Sequence, residues 1–283
     1  MAMLDVTMAY GLTYLFPEGD SAVGLSLRNH GEFARPEADL ISTYLAHAGT
    51  GSTFIDVGAN IGAICLPVAA RHRDATIIAL EAQRRIHGVL CANALNNRLF
   101  NVECHHLAAG PREGLMSFPS FPLTTRRNFG DVGSTGHADA QTENVQVRAL
   151  DTFDRDSVAF VKIDVQGAEI DVLEGSTALI ARNQPALLLE VTRSKTDDTA
   201  RVAAFMQSLG YRLFVFFSPF ATTTADKPSQ EKPSFRGDFS FLALPPSGEN
   251  LWNLPEFRSL DEPWPTDMAD FGYLRRYYTV APA

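Results

Sequence analysis

The chain has 283 residues, 45% hydrophobic and 20% charged, with a formal charge of −9 and a pI near 5.2. This is a globular composition, sufficient for one or two domains with a substantial core, and its acidity argues against a protein that holds nucleic acid by neutralising phosphates. No run of 18 apolar residues offers a membrane span, MAMLDVTMAY lacks the features of a signal peptide, and Cys65, Cys91 and Cys104 read as reduced thiols of a cytoplasmic protein.

Residues 1–50 read as a small N-terminal cap. Stretches 6–14 and 22–27 are expected as strands around the loop FPEGD, and Pro36 suits the first turn of a helix carrying Leu40, Ile41, Tyr44 and Leu45. The next stretch, FIDVGANIG, organises the rest of the chain. Residues 53–57 form a short apolar run of the kind buried on both faces of a parallel sheet. Asp56 interrupts it at the carboxyl end, where open α/β sheets place their ligand crevice. Gly58 and Gly62 frame a turn, Asn60 is expected to cap the helix after it, and Ile61, Ile64, Cys65, Val68 and Ala69 recur at helical spacing. Strand, glycine turn and helix predict a nucleotide-cofactor site.

The turn also selects among cofactors. A dinucleotide fingerprint, G-x-G-x-x-G, needs its second glycine for close approach of a pyrophosphate, and here that position is Asn60. The pattern present is D-x-G-x-x-x-G, whose acid suits a ligand with an ammonium group and a ribose. S-adenosylmethionine is such a ligand. Glu81 ends the apolar run 76–80, 25 residues after Asp56, where a carboxylate can accept both ribose hydroxyls.

Beyond Glu81, Ile86, Val89, Leu90 and Ala94 mark a helix ending at Asn96-Asn97. A third strand, 102–107, is followed by Ala108, taken as a further cofactor contact. His105 and His106, in or beside that strand, are expected to be hydrogen-bonded structural groups. Segments 115–118 and 145–149 read as short strands around a long polar loop with Arg126, Arg127, Asn128, Gly130, Gly133, Ser134 and His137, expected to contact substrate. VAFVKIDV, 158–165, is the fourth sheet strand, with Lys162 and Asp164 on one face. A single helix from Gly167-Ala168-Glu169 is expected to carry Val172, Leu179 and Ile180. Strand 186–191 contains Glu190 near its end, and Val202, Phe205, Met206 and Leu209 mark another helix. Strands 211–217 and 239–244 should pair antiparallel across a second long loop, 219–238. The aromatic tail beyond Pro245, with Trp252, Trp264, Phe271, Tyr273, Tyr277 and Tyr278, is expected to wrap the core; a platform for a carbohydrate or apolar substrate is the sharper alternative.

FIDVGANIG, ALEA ending at Glu81 and Ala82, ANALNN with Asn93 and Asn97, LDTF at 150–153 and above all VKIDVQGAEIDVLEG resemble the FkbM family of S-adenosylmethionine-dependent methyltransferases. The resemblance spans 53–191. It implies an α/β, Rossmann-like class I methyltransferase fold: a mostly parallel seven-stranded sheet with a terminal antiparallel strand and helices on both faces. It also implies methyl transfer to a hydroxyl oxygen of a sugar, glycolipid or polyketide-like natural product. Gln166 stands where the family usually carries Glu.

Three segments are expected: cap 1–50, core 51–245 with insertions 110–144 and 218–238, and tail 246–283. Cofactor contacts fall to Asp56, Gly58, Asn60, Gly62, Glu81, Ala108 and Asp164. Methyl transfer is an in-line displacement that needs positioning and a partner for the hydroxyl proton. Asp164, Glu190, Glu169 and His137 are the catalytic candidates. A divalent cation such as magnesium, held by Asp164 and Glu190, would be another way to acidify the hydroxyl. The partner expected is a small-molecule hydroxyl acceptor, with a homodimer also open and no nucleic acid or membrane span. A nicotinamide-dependent oxidoreductase and a catalytically silent cofactor-binding module are the rival readings.

Overall fold

The chain begins with a hairpin of β1 (Leu4–Ala9) and β2 (Leu12–Pro17). Tyr10 and Gly11 between them have φ of 55° and 72°, the two-residue geometry that matches strand twist. The single strand expected over 6–14 is therefore divided. The strand expected over 22–27 is instead helix α1 (Val23–His30), because the Asp20 carboxylate accepts the N–H groups of Ala22 and Gly24, both at 2.9 Å. Helix α2 (Arg35–Ala48) has Pro36 in its first turn and buries Leu40, Ile41, Tyr44 and Leu45. This computed structural model describes residues 3–133, 140–191, 196–224, 227, 236–260, 262, 265 and 270–278, apart from the side chain of Thr196.

Strands and helices then alternate: β3 (Thr53–Val57), α3 (Cys65–Arg71), β4 (Thr76–Glu81), α4 (Arg84–Asn96) and β5 (Val102–His106). A small sheet comes next, β6 (Ala108–Ala109), β7 (Gly114–Ser120) and β8 (Gln141–Arg148), in the order β6-β8-β7. Strand β9 (Val158–Ile163) ends one residue before Asp164. The helix expected after it is two, α5 (Glu169–Glu174) and α6 (Thr177–Asn183). A Cβ at Gly175 would meet the Gly110 carbonyl oxygen at 2.0 Å, and Asp151 caps the second piece through the N–H groups of Ala178 (3.1 Å) and Leu179 (2.7 Å). The core is completed by β10 (Ala186–Val191), α7 (Thr196–Ser208), β11 (Arg212–Pro219) and β12 (Gly237–Leu244).

The main sheet has seven strands in the order β11-β12-β10-β9-β3-β4-β5, with β12, the last in the chain, antiparallel to both neighbours. This is the class I methyltransferase arrangement. Strand order reverses beside β3, so the carboxyl ends of β3 and β9 open on one crevice. The described aromatic residues of the tail pack into the core. Phe271 and Tyr277 are 1% and 3% exposed, Tyr273 stacks on Phe216 with centroids 5.4 Å apart, and Arg276 covers Trp252. Trp264 lies outside the described residues.

Candidate active site

A cavity of about 370 Å³ sits at the carboxyl ends of β3, β4, β9 and β10, within the usual range for small-molecule sites. The β3 turn forms its floor. Gly58 has φ +87°, and a Cβ there would meet the Asp164 carbonyl oxygen at 1.9 Å, so the two motifs are pressed together where only glycine fits. Asn60 does not cap a helix. It adopts φ +51°, its Oδ1 accepts the Ile61 N–H at 2.7 Å, and α3 begins five residues later at Cys65. Gly62 serves packing: a Cβ there would strike the side chains of Leu66 and Leu90.

Two acids define the cofactor end. Asp56 is 1% exposed, borders the cavity, and neither carboxylate oxygen has a hydrogen-bond partner among the described residues; Cys65, a weak donor, lies beside it. Burial raises its pKa, against the pull of the Lys162 ammonium. A buried, unsatisfied carboxylate facing a cavity is stabilised when a positively charged ligand group arrives. Glu81 Oε2 accepts the Asn60 N–H at 2.9 Å and Oε1 the Gln83 N–H at 2.8 Å, leaving each oxygen a further lone pair for a hydroxyl donor. Burial pushes its pKa up to about 7. An unpartnered buried acid at one strand end and an oriented carboxyl at the next fit the amino and ribose groups of S-adenosylmethionine. Ala108 also lines the cavity.

The far end is a polar cluster around Lys162. Its Nζ donates to Asp164 Oδ2 at 2.8 Å. Burial works against the ammonium, but the carboxylates of Asp164, Asp56 and Glu37 outweigh it and raise its pKa. Burial likewise opposes ionisation of Asp164, yet Lys162 and hydrogen bonds hold that carboxyl below its ordinary value. Gln166 Nε2 donates to Asp164 Oδ1 (3.1 Å) and Glu190 Oε2 (2.8 Å). Burial and the Asp164 charge raise the pKa of Glu190, the direction opposite to that of Asp164, so ionisation of the pair is favoured at Asp164. Among the described residues no group of three or more His, Cys, Asp or Glu is placed to hold a metal ion. The expected magnesium pair is bridged instead by the Gln166 amide, whose N–H donors point where a cation would sit.

The other candidates separate. Glu169 does not line the cavity; its Oε1 accepts the Gly167 N–H at 3.0 Å at the start of α5. His137 and Ser134 lie outside the described residues. His106 Nε2 is 3.0 Å from the Ala82 carbonyl oxygen, and His105 stacks edge-on against Phe153; neither reaches the cavity. Arg127 lies over the Phe121 ring at 3.5 Å, while residues 128–132 form one wall, held by Gln83 Nε2 donating to the Phe129 carbonyl at 2.8 Å. Phe33 and Phe220, stacked at 5.4 Å, form another.

Sequence reasoning missed Asp238, Glu37 and the Phe33–Phe220 pair. Asp238 was discoverable: an acid at the start of an antiparallel strand beside β10 must lie at the carboxyl edge of the parallel strands. Glu37, 5% exposed with its pKa pushed up to about 8 chiefly by burial, gave no signal, since helical spacing alone marks an acid as a surface residue.

Sheet order, glycine turn and paired acids define a class I methyltransferase. Residues 56–213, more than half of the chain, match the model of the Methyltransferase FkbM domain, and the chain belongs to that family of S-adenosylmethionine-dependent methyltransferases. Among solved structures it is similar to a methyltransferase FkbM from Methylobacillus flagellatus KT, at 16% identity and TM-score 0.45 over 68% of this chain but only 43% of that one. It is similar to a precorrin-6y C5,15-methyltransferase from Geobacter metallireducens GS-15, at 15% identity and TM-score 0.46 over 75% and 87% of the two chains. A third is a SAM-dependent O-methyltransferase from Thermotoga maritima, at 15% and 0.43 over 76% and 67%. No curated protein matches in sequence. Among the described residues no helix is long and apolar enough to cross a membrane.

Proposed function

We propose that this chain transfers a methyl group from S-adenosylmethionine to a hydroxyl oxygen of a small molecule, a sugar, glycolipid or polyketide-like compound. One observation carries the reading. Among the described residues the cavity is lined by six carboxyl groups, from Asp56, Glu81, Asp131, Asp164, Glu190 and Asp238, and by one cation, Lys162, itself paired with Asp164. An acceptor bearing phosphate would be repelled by the ionised members of this set, Asp164 above all, and would find Lys162 already paired, whereas a neutral hydroxyl finds oxygen acceptors without that repulsion.

When bound, S-adenosylmethionine supplies an activated methyl group on a sulfonium. Asp56 and Glu81 hold its amino and ribose groups, with Gly58, Asn60 and Ala108 shaping the contact. Asp164, kept ionised by Lys162, orients the acceptor and favours the positive end of the cofactor. Ala22, Val23 and Phe33 of the N-terminal segment cap the crevice, and residues 128–132 with Phe220, from the two insertions, border the acceptor mouth. The test is transfer of labelled methyl from S-adenosylmethionine to matched free and phosphorylated glycosides. We expect alkali-stable methyl ethers from the free glycosides only. Transfer to the phosphorylated member of each pair, or to nitrogen or carbon in its place, would refute the acceptor class.

A further inference from the structure

Methyl transfer to an alkyl hydroxyl needs a group that takes its proton, and the two strand-end acids on β9 and β10 are occupied. Asp164 is bound to Lys162 and Gln166, and Glu190 is bound to Gln166. Asp238 is different. It lines the same cavity, yet no hydrogen bond or ion pair joins its carboxylate to another described residue. Its place is set by the sheet. Strand β12 is antiparallel to β10, with Ser240 opposite Glu190 and Phe239 opposite Val191, so Asp238 stands one residue past the carboxyl edge of β10. On its other side it pairs with Ser218 of β11. Gly237 fixes the approach, since a Cβ there would meet the Ser218 carbonyl oxygen at 2.0 Å.

We propose that Asp238 is the general base of the reaction, an inference that rests on the hydroxyl-acceptor reading above. As the acceptor oxygen bonds to the methyl carbon, the carbon–sulfur bond breaks with its electron pair left on sulfur. The hydroxyl proton passes to the Asp238 carboxylate, which returns it to solvent after product leaves. The charge environment suits this work. Burial, with the charges of Asp164 and Asp131 and against that of Lys162, pushes the Asp238 pKa up to about 7, and Glu37 and Glu190 also face it. A base with that value is ionised enough at neutral pH to accept a proton and basic enough to hold it.

Infrared difference spectra between wild type and Asp238→Asn, recorded against pH with S-adenosylhomocysteine bound, isolate the Asp238 carboxyl. A midpoint near pH 7 is expected, and one in the ordinary aspartate range overturns the proposal whatever the acceptor. With methyl glycosides at saturating cofactor, Asp238→Asn should lower kcat by about 10²-fold or more and remove the acid limb of the pH profile. Asp238→Glu should restore part of the rate, and calorimetric affinity for S-adenosylhomocysteine should not change. Undiminished kcat in Asp238→Asn refutes the base. Failure of wild type to bind S-adenosylhomocysteine would instead remove the methyltransferase reading beneath it.

Discussion

Lys162 is a buried ammonium among carboxylates, and its single charge decides which of them can ionise. It is 5% exposed and contacts Asp164 at 2.8 Å, which favours the negative charge on Asp164, while burial and that charge raise the pKa of Glu190, next along the same hydrogen-bonded chain. Asp164→Asn should leave the fold and S-adenosylhomocysteine binding intact and lower methyl transfer by about 10²-fold or more, the scale of one positioned group. The same change removes a charge that raises the pKa of both Glu190 and Asp238, so the remaining carboxyls should titrate lower in infrared spectra. Wild-type turnover in this variant would reduce Asp164 to a structural partner of Lys162. Asp56, Glu81, Asp164 and Glu190 were legible in the sequence because an acid at or near the end of an apolar run has few structural excuses. The Gln166 bridge was not legible. It depends on φ +55° at Gln166, which no residue pattern announces.

At the scale of elements, the apolar runs that became the seven-stranded sheet were readable, and errors gathered where a side chain overrides periodicity. Asp20 turns an apolar stretch into α1, and Asp151 with Gly175 divides one helix into α5 and α6. The asparagines of ANALNN act in the same way. Asn93 is fully buried in α4; its Oδ1 accepts the Leu15 N–H at 2.7 Å, and its Nδ2 donates to the carbonyls of Leu15 (2.9 Å) and Ile61 (3.0 Å). Asn97 grips Thr13 alike, through its N–H (2.9 Å) and carbonyl (2.7 Å). Two amides thus serve β2 as a neighbouring strand would, and one also anchors the cofactor turn. Asn93→Ala strands three backbone groups, and we expect a loss of about 2–3 kcal/mol in urea unfolding together with weaker S-adenosylhomocysteine binding. A loss below about 0.5 kcal/mol, the scale of a surface change, would show that water replaces the clamp.

For the whole molecule, the acids of the cavity together with the buried Glu37 should leave a signature in the dependence of stability on pH. Glu37 is pushed up to about 8 and Glu81 and Asp238 to about 7, in each case chiefly by burial. In the unfolded chain these carboxyls titrate near their ordinary values. Between the two ranges the folded state therefore binds more protons than the unfolded state, and stability falls as pH rises from about 5 to about 8. Two groups bear on the trend from outside that window. Asp164, held low, loses its contribution only in acid, and Lys162, held high, only in alkali. His72 and His87, whose pKa values burial lowers, oppose the trend below about pH 6.5, so differential scanning fluorimetry of the ligand-free protein should show Tm declining most clearly from about pH 6.5 to pH 8. Glu37→Gln should flatten the alkaline part of that decline. S-adenosylmethionine brings positive charge beside Asp56, so it should raise Tm more at pH 8 than at pH 5. A ligand-free Tm that climbed from about pH 6.5 to pH 8 would mean that water or counter-ions already neutralise the cluster, and the electrostatic case for a hydroxyl acceptor would lose its footing.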